Sequence, residues 1–424
     1  MYIRKFKIAN FRSLKEVTIP NLNPITILHG DNDAGKSNVL AALEAIFKNK
    51  QSIVTVSTNE GQKPEKRFIG FWRGDIPEFT DNYYRNTDEP IKFEITIRFE
   101  GQELTEIINN KYVSDILCHK GGKGDDAIIT GKIEKIKFRD AYQKLDKVTI
   151  NNKSVYEEGE EGNQIYLQAV DKISEHDKYV IFENVLRELN DYFVIVPSRR
   201  YIKSEKDLKG EICSLDPNSF KNWLFNLEMD RGSYAIFENI KRVFADTPFN
   251  FGEIGFAREH DSMDILIKRG ELRLPIERLG TGVQQILFLI ANIIQSQARV
   301  VGIEELEINL SEKSQNKMLH ILSEFIQNKG TRVRQIIITS HSYDYGEKGQ
   351  VLRWWVENDG TETKIRKWDN DSEAALMETR IAKLMMRLSN EDLKRILLQE
   401  MSKPEIKSML VQIFTIEEIK NILK

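Results

Sequence analysis

Apolar and polar positions divide the first 48 residues into a compact pattern. Residues 2–9 and 14–19 alternate as a short strand pair, and Pro24–Leu28 is an apolar run of strand length. A turn opens at His29-Gly30. From Lys36 to about Lys48 the apolar positions Val39, Leu40, Leu43 and Phe47 recur at helical spacing. The order is strand, glycine-bearing loop, helix. Further on, Ile91, Phe93, Ile95, Ile97 and Phe99 alternate with polar residues, which predicts a half-buried strand. Strands are also predicted over 127–138 and 147–150, with a loop at Gly121–Asp126 and an acidic exposed turn at Glu157–Gly162. A helix is predicted over 164–190.

Tyr192–Val196 returns to a buried strand ending at Pro197-Ser-Arg-Arg200. Helices are predicted within 218–245 and short strands at 263–268 and 271–275. Leu279–Gln297 is a turn leading into a long apolar helix. Arg299–Ile303 and Arg334–Thr339 are continuous apolar runs, the mark of parallel strands covered on both faces, and a helix over 312–328 separates them. Two weak strands (351–357 and 363–368) precede a tail that reads as helical from Asp371, with apolar residues such as Leu376, Ile381, Leu384 and Leu388. No heptad run or internal repeat occurs, so long coiled-coil arms are not expected.

Composition narrows the class. Sixty-two basic and 65 acidic residues give a net charge of −3, which excludes a uniformly basic nucleic-acid coat. No apolar run approaches the roughly 20 residues of a membrane span, and the N-terminus lacks a signal-peptide pattern. Two cysteines, Cys118 and Cys213, cannot build a zinc site or a disulfide framework. A cytoplasmic protein is expected.

The chemistry concentrates in three places. Gly30-Asp-Asn32-Asp33-Ala34-Gly35-Lys36-Ser37 fits G-x-x-x-x-G-K-[ST], with Asn38 one step into the helix. The glycines let the backbone wrap phosphate, Lys36 neutralises the β- and γ-phosphates, and the Ser37 hydroxyl holds Mg²⁺. Second, Glu304 and Glu305 follow a buried strand. Glu304 is a candidate metal acid, and Glu305 a candidate base for the attacking water. Third, His341 ends the next apolar strand and is a candidate γ-phosphate sensor. Lys132, Lys135, Lys137 and Arg139 make a basic strand, read either as DNA-facing or as a solvated face. Asp369-Asn-Asp371 reads as a turn and helix cap.

These elements, with Leu279-Gly-Thr-Gly-Val-Gln-Gln285 and the opening Asn10-Phe-Arg-Ser13, resemble the ABC-type ATPases of the RecF/SMC/OLD branch. Compact AAA15-type and OLD-like ATPases of bacterial anti-phage systems are the most similar in pattern. The resemblance implies an α/β fold: an ABC-type head with a mixed central sheet, an antiparallel β-subdomain, a helical insertion and a helical tail. It implies a head over 1–345 and a separate region over 346–424 that could serve as an assembly module. It also implies ATP and Mg²⁺ sandwiched in a homo-oligomer, with Thr281, Gly282 and Gln284 acting on a neighbour's nucleotide and Arg12 approaching the nucleotide. A separately encoded nuclease or toxin is the implied partner, DNA binding stays open, and no intrinsic nuclease is expected. The chain departs from the pattern at Gly280, at Glu304 in place of aspartate and at Leu306 in place of proline, which implies slow turnover. The alternative reading is a RecF-like DNA-binding ATPase of recombination or repair.

Overall fold

The computed structural model describes residues 1–47, 54–56, 65–67, 71–73, 89–119, 124–135, 141–157, 184, 188–189, 192–202, 214–246, 248–259, 262–327, 331–341 and 351–368. In chain order, β1 (Tyr2–Phe11), β2 (Leu14–Ile19), β3 (Ile25–His29), α1 (Lys36–Phe47) and the short strands β4 (Val54–Val56), β5 (Glu65–Arg67) and β6 (Phe71–Arg73) lead to β7 (Ile91–Phe99). There follow α2 (Glu103–Ile108), α3 (Lys111–Leu117), β8 (Asp125–Lys135), β9 (Ala141–Ile150), β10 (Lys153–Glu157) and β11 (Phe193–Val196). Next come α4 (Phe220–Met229), α5 (Tyr234–Ala245), β12 (Glu253–Glu259), β13 (Ser262–Arg269) and β14 (Leu272–Pro275). The last elements are α6 (Thr281–Gln295), β15 (Val300–Ile303), α7 (Glu312–Gln327), β16 (Gln335–Ser340), β17 (Leu352–Asn358) and β18 (Thr363–Lys367).

Two sheets dominate. The central one runs β11-β15-β16-β3-β17-β18, and its pairs from β11 to β17 are parallel. The antiparallel one runs β10-β9-β8-β7-β1-β2, with β6 on β9. A further antiparallel sheet, β12-β13-β14, is built from hairpins.

Period-two alternation assigns the central strands to two cores. Leu28, Val300 and Ile337 join the core formed with α1 and the antiparallel sheet. Their neighbours Ile27, Val301, Ile336 and Ile338 face the opposite core, which α5, α6 and α7 fill. Gly302 lets α1 come close, since a Cβ there would lie 2.9 Å from Phe193 Cζ and 3.3 Å from Leu40 Cδ2. Gln335 ties the sheets together: its Oε1 accepts from Ile3 N at 2.9 Å, and its Nε2 donates to Ile3 O at 2.8 Å.

Several elements escape the hydrophobic pattern. Helices α2 and α3 are too short to show a period, and β12 has glycines within and just before it, at Gly255 and Gly252. Strands over 352–358 and 363–367 complete the central sheet rather than starting a separate region, because β17 pairs with β3. The chain accordingly divides after Ile365, into Met1–Ile365 and Arg366–Lys424, rather than after 345. The helical tail, the turns at 158–162 and 369–371 and nearly all of the predicted 164–190 helix lie outside the described residues.

Candidate functional site

Register brings the three sequence motifs to one edge. Val196 pairs with Ile303, Ile303 with Ile338 and Ser340 with His29. The residues that follow these strands therefore leave the sheet together at its carboxyl edge, where open α/β sheets bind ligands.

Between β3 and α1 the loop Gly30–Gly35 turns tightly, with positive φ at Asp33 (62°) and Gly35 (97°). A side chain at Gly35 is excluded by its backbone conformation as well as by space. Gly30 has a different cause from the phosphate wrap expected of it: a Cβ there would lie 2.1 Å from Val356 O of β17. Asn32 is exposed, and Ala34 is buried. Ser37 and Asn38 occupy the first turn of α1, and Asn38 N donates to Gly35 O at 3.1 Å.

Lys36 is only 6% exposed. Its Nζ donates to Gly30 O at 2.9 Å and Asp31 O at 2.6 Å and lies 3.3 Å from His341 Nδ1. Among the described residues no carboxylate forms an ion pair with it. Burial pushes its pKa below the usual lysine value, while the more distant Glu305, Glu307, Asp31 and Asp33 pull it back up. A buried ammonium held by neutral acceptors is a ready anion site.

The acidic turn is held from three sides. Glu304 N donates to Val196 O at 3.1 Å, and its carboxylate accepts from Ser198 N at 3.3 Å. Glu305 sits at φ 47°, its N–H donating to Thr339 Oγ1 at 3.2 Å. Arg200 is 1% exposed and donates to the carbonyls of Glu304, Glu305 (3.5 Å) and Pro197 (2.7 Å). His341 closes the ring. Its backbone N–H donates to the Glu307 carboxylate, and its Nε2 lies 3.2 Å from Glu305 Oε1. A carboxylate only accepts, so Nε2 donates to Glu305, while Nδ1 lies between two groups, 3.0 Å from Gly30 O and 3.3 Å from Lys36 Nζ. Lysine, imidazole and carboxylate thus stand side by side at the carboxyl edge of the sheet.

The first turn of α6 packs beside the acidic loop, since a Cβ at Gly282 would lie 2.7 Å from Asn309 O. Thr281 is exposed and Gly282 half-buried. Gln284 is 1% exposed, its Nε2 3.5 Å from Leu279 O, so it is not presented to a neighbour as expected. Among the described residues, none of the three bonds to this chain's own phosphate loop. Arg12 lies with Cζ 5.3 Å from the Phe11 ring centroid and Nη1 3.4 Å from Asn38 Oδ1. Sequence reasoning assigned no role to Thr363, Thr339 and Glu307, and it named Ser13 and Arg200 only within the stretches Asn10–Ser13 and Pro197–Arg200. Of these, only Glu307 lay where the acids already drew attention.

For a magnesium ion, the described residues contain no group of three His, Cys, Asp or Glu side chains suited to a metal. A phosphate-loop Mg²⁺ needs less: one hydroxyl and one carboxylate, with phosphate and water oxygens completing the shell. Ser37 and Glu304 are residues of that kind and fit it.

Fold and site together define a phosphate-loop ATPase. The chain belongs to the AAA ATPase domain family (AAA_15), whose profile matches residues 1–180 and 158–344. An ATP/GTP phosphatase of Helicobacter pylori is 20% identical over 368 residues, covering 83% of this chain and 88% of that protein. The uncharacterized protein MJECL10 of Methanocaldococcus jannaschii is 33% identical over 110 residues, 25% of this chain and 45% of its own length. Among solved structures, an SMC head bound to the C-winged helix domain of ScpA has a TM-score of 0.46 at 12% identity, covering 88% of this chain and 100% of that one. The SMC head domain of Thermotoga maritima scores 0.42 at 12% identity, covering 87% and 100%. No helix among the described residues is long and apolar enough to cross a membrane.

Proposed function

We propose that the chain binds ATP with magnesium on the Gly30–Ser37 loop, hydrolyses it slowly and pairs its heads around the nucleotide. In this reading it is the sensor and scaffold subunit of an anti-phage defence system, holding a separately encoded nuclease or toxin. Lys36 carries the nucleotide part: a buried ammonium ringed by carbonyls lacks the counter-charge that a triphosphate supplies. Ser37 and Glu304 would hold the magnesium, which when bound would neutralise charge on the β- and γ-phosphates. Glu305, steadied by His341 Nε2, orients water and takes its proton. The exposed Thr281 and the half-buried Gly282 would cap a neighbour's nucleotide, and Arg12 would approach the nucleotide from beside Asn38. The defence role is supported by resemblance to OLD-like ATPases.

Two variants test this. Lys36→Ala should abolish ATP binding by calorimetry. Glu305→Gln should retain ATP, release phosphate at least about 100-fold more slowly and accumulate ATP-bound dimers in light scattering. Wild-type turnover in Glu305→Gln would remove its role as base.

One observation favours the RecF-like alternative. Lys92 lies opposite Lys132, so two lysines face each other across β7 and β8. Like charges set opposite each other cost stability, and a nucleic-acid backbone would offset that. ATP-dependent duplex binding with a steep salt dependence would favour this reading.

A further inference from the structure

Thr363 comes from β18, remote in sequence from every motif of the site, yet its side chain lies against the phosphate loop. Its Oγ1 donates to Ala34 O at 3.1 Å and lies 2.7 Å from Ser13 Oγ. A threonine hydroxyl has one proton, and this one is committed to the carbonyl. Ser13 must therefore donate to Thr363. Ser13 Oγ in turn accepts from Asn38 Nδ2 at 2.8 Å, and Asn38 Oδ1 accepts from Arg12 Nη1 at 3.4 Å. Every direction is then determined, from Arg12 through Asn38, Ser13 and Thr363 to Ala34. In a one-way chain each bond polarises the next. Thr363 N also donates to Ser13 O at 2.9 Å, which holds the strand in place. At 2% exposure, water cannot replace the threonine hydroxyl.

The chain of bonds ends on one peptide unit. In a trans peptide the C=O and N–H point in opposite directions. Holding Ala34 O on β18 thus turns the Gly35 N–H away from β18. Gly35 stands at φ +97°, and a Cβ there would lie 2.2 Å from Thr363 Oγ1, so threonine and loop are in close contact.

We propose that Thr363, through this relay, is a positioning residue for the phosphate loop. It sets the Ala34–Gly35 peptide in its phosphate-binding orientation before nucleotide arrives. The proposal rests on the loop being the ATP site. It adds that part of the affinity is preorganisation supplied from a strand outside the motif.

The full chain carrying Thr363→Val, Thr363→Ser or Ser13→Ala tests it, with binding followed by a fluorescent ATP analogue and turnover by phosphate release. Thr363→Val should weaken binding about tenfold and raise KM to match, with kcat within about twofold, because Lys36, Glu305 and His341 are untouched. Thr363→Ser keeps the hydroxyl and should stay within about twofold of wild type. Ser13→Ala breaks the relay one step earlier and should match Thr363→Val; it decides the matter if the valine variant does not fold. Wild-type affinity in either relay-breaking variant, or an equal loss in Thr363→Ser, would overturn the proposal. Lys36→Ala is the control. Should it bind as wild type does, the loop is not the ATP site; should it fail to bind while Thr363→Val binds normally, only the relay is rejected.

Discussion

At the scale of single residues, Lys36 couples charge to stability. Burial sets its folded pKa below the unfolded value of 10.5. Between those two values the unfolded chain holds the extra proton, so stability rises with pH through that window and is flat below it. Lys36→Met should abolish the rise. It should also leave the nucleotide-free protein as stable as wild type, or up to about 2 kcal/mol more so, because a buried charge is gone. Urea melts near neutral pH and near the top of the window measure both effects. Identical pH slopes in wild type and variant would exclude Lys36 as the source. The twin glutamates and the histidine were legible because each follows or ends an apolar strand, and the lysine because it fills the G-x-x-x-x-G-K-[ST] spacing. Thr363 and Arg200 were not, because what makes them functional is their partners, Ala34 and the Glu304 carbonyl, which are 329 and 104 residues away.

At the scale of elements, the parallel strands were legible and their order was not. A strand covered on both faces shows as an unbroken apolar run, but nothing within Leu352–Asn358 signals that its neighbour is β3. Sheet order matters to the site through Arg200, which leaves β11 and satisfies carbonyls leaving β15. Lysine keeps the charge but cannot reach several carbonyls from one planar fork. Arg200→Lys should therefore leave buried acceptors unpaired and cost about 2–3 kcal/mol in chemical denaturation. Because the Glu305 turn loosens while the phosphate loop does not, kcat should fall more than ATP affinity. A variant that loses affinity and keeps kcat would show that Arg200 supports the loop instead.

At the scale of the whole chain, every residue argued to touch or position nucleotide lies between Arg12 and Thr363, within the unit Met1–Ile365. The antiparallel sheet and the central sheet from β11 to β17 fall within that unit, linked by Gln335, and α1 is packed in the core they share. The tail repeats apolar residues at helical spacing, Leu393, Ile396, Leu397 and Met401 among them, a pattern suited to a docking face. A chain ended after residue 372 should thus bind ATP with an affinity within about twofold of full length. ATP at about 100 times Kd should stabilise both forms by about 2.7 kcal/mol, since that gain depends only on occupancy of the folded state. If the tail is the assembly module, light scattering should report a smaller assembly for the shortened chain with ATP bound. An unchanged mass would assign assembly to the heads alone, whereas loss of the ATP-dependent shift would mean that the site depends on residues beyond the sheet that positions it.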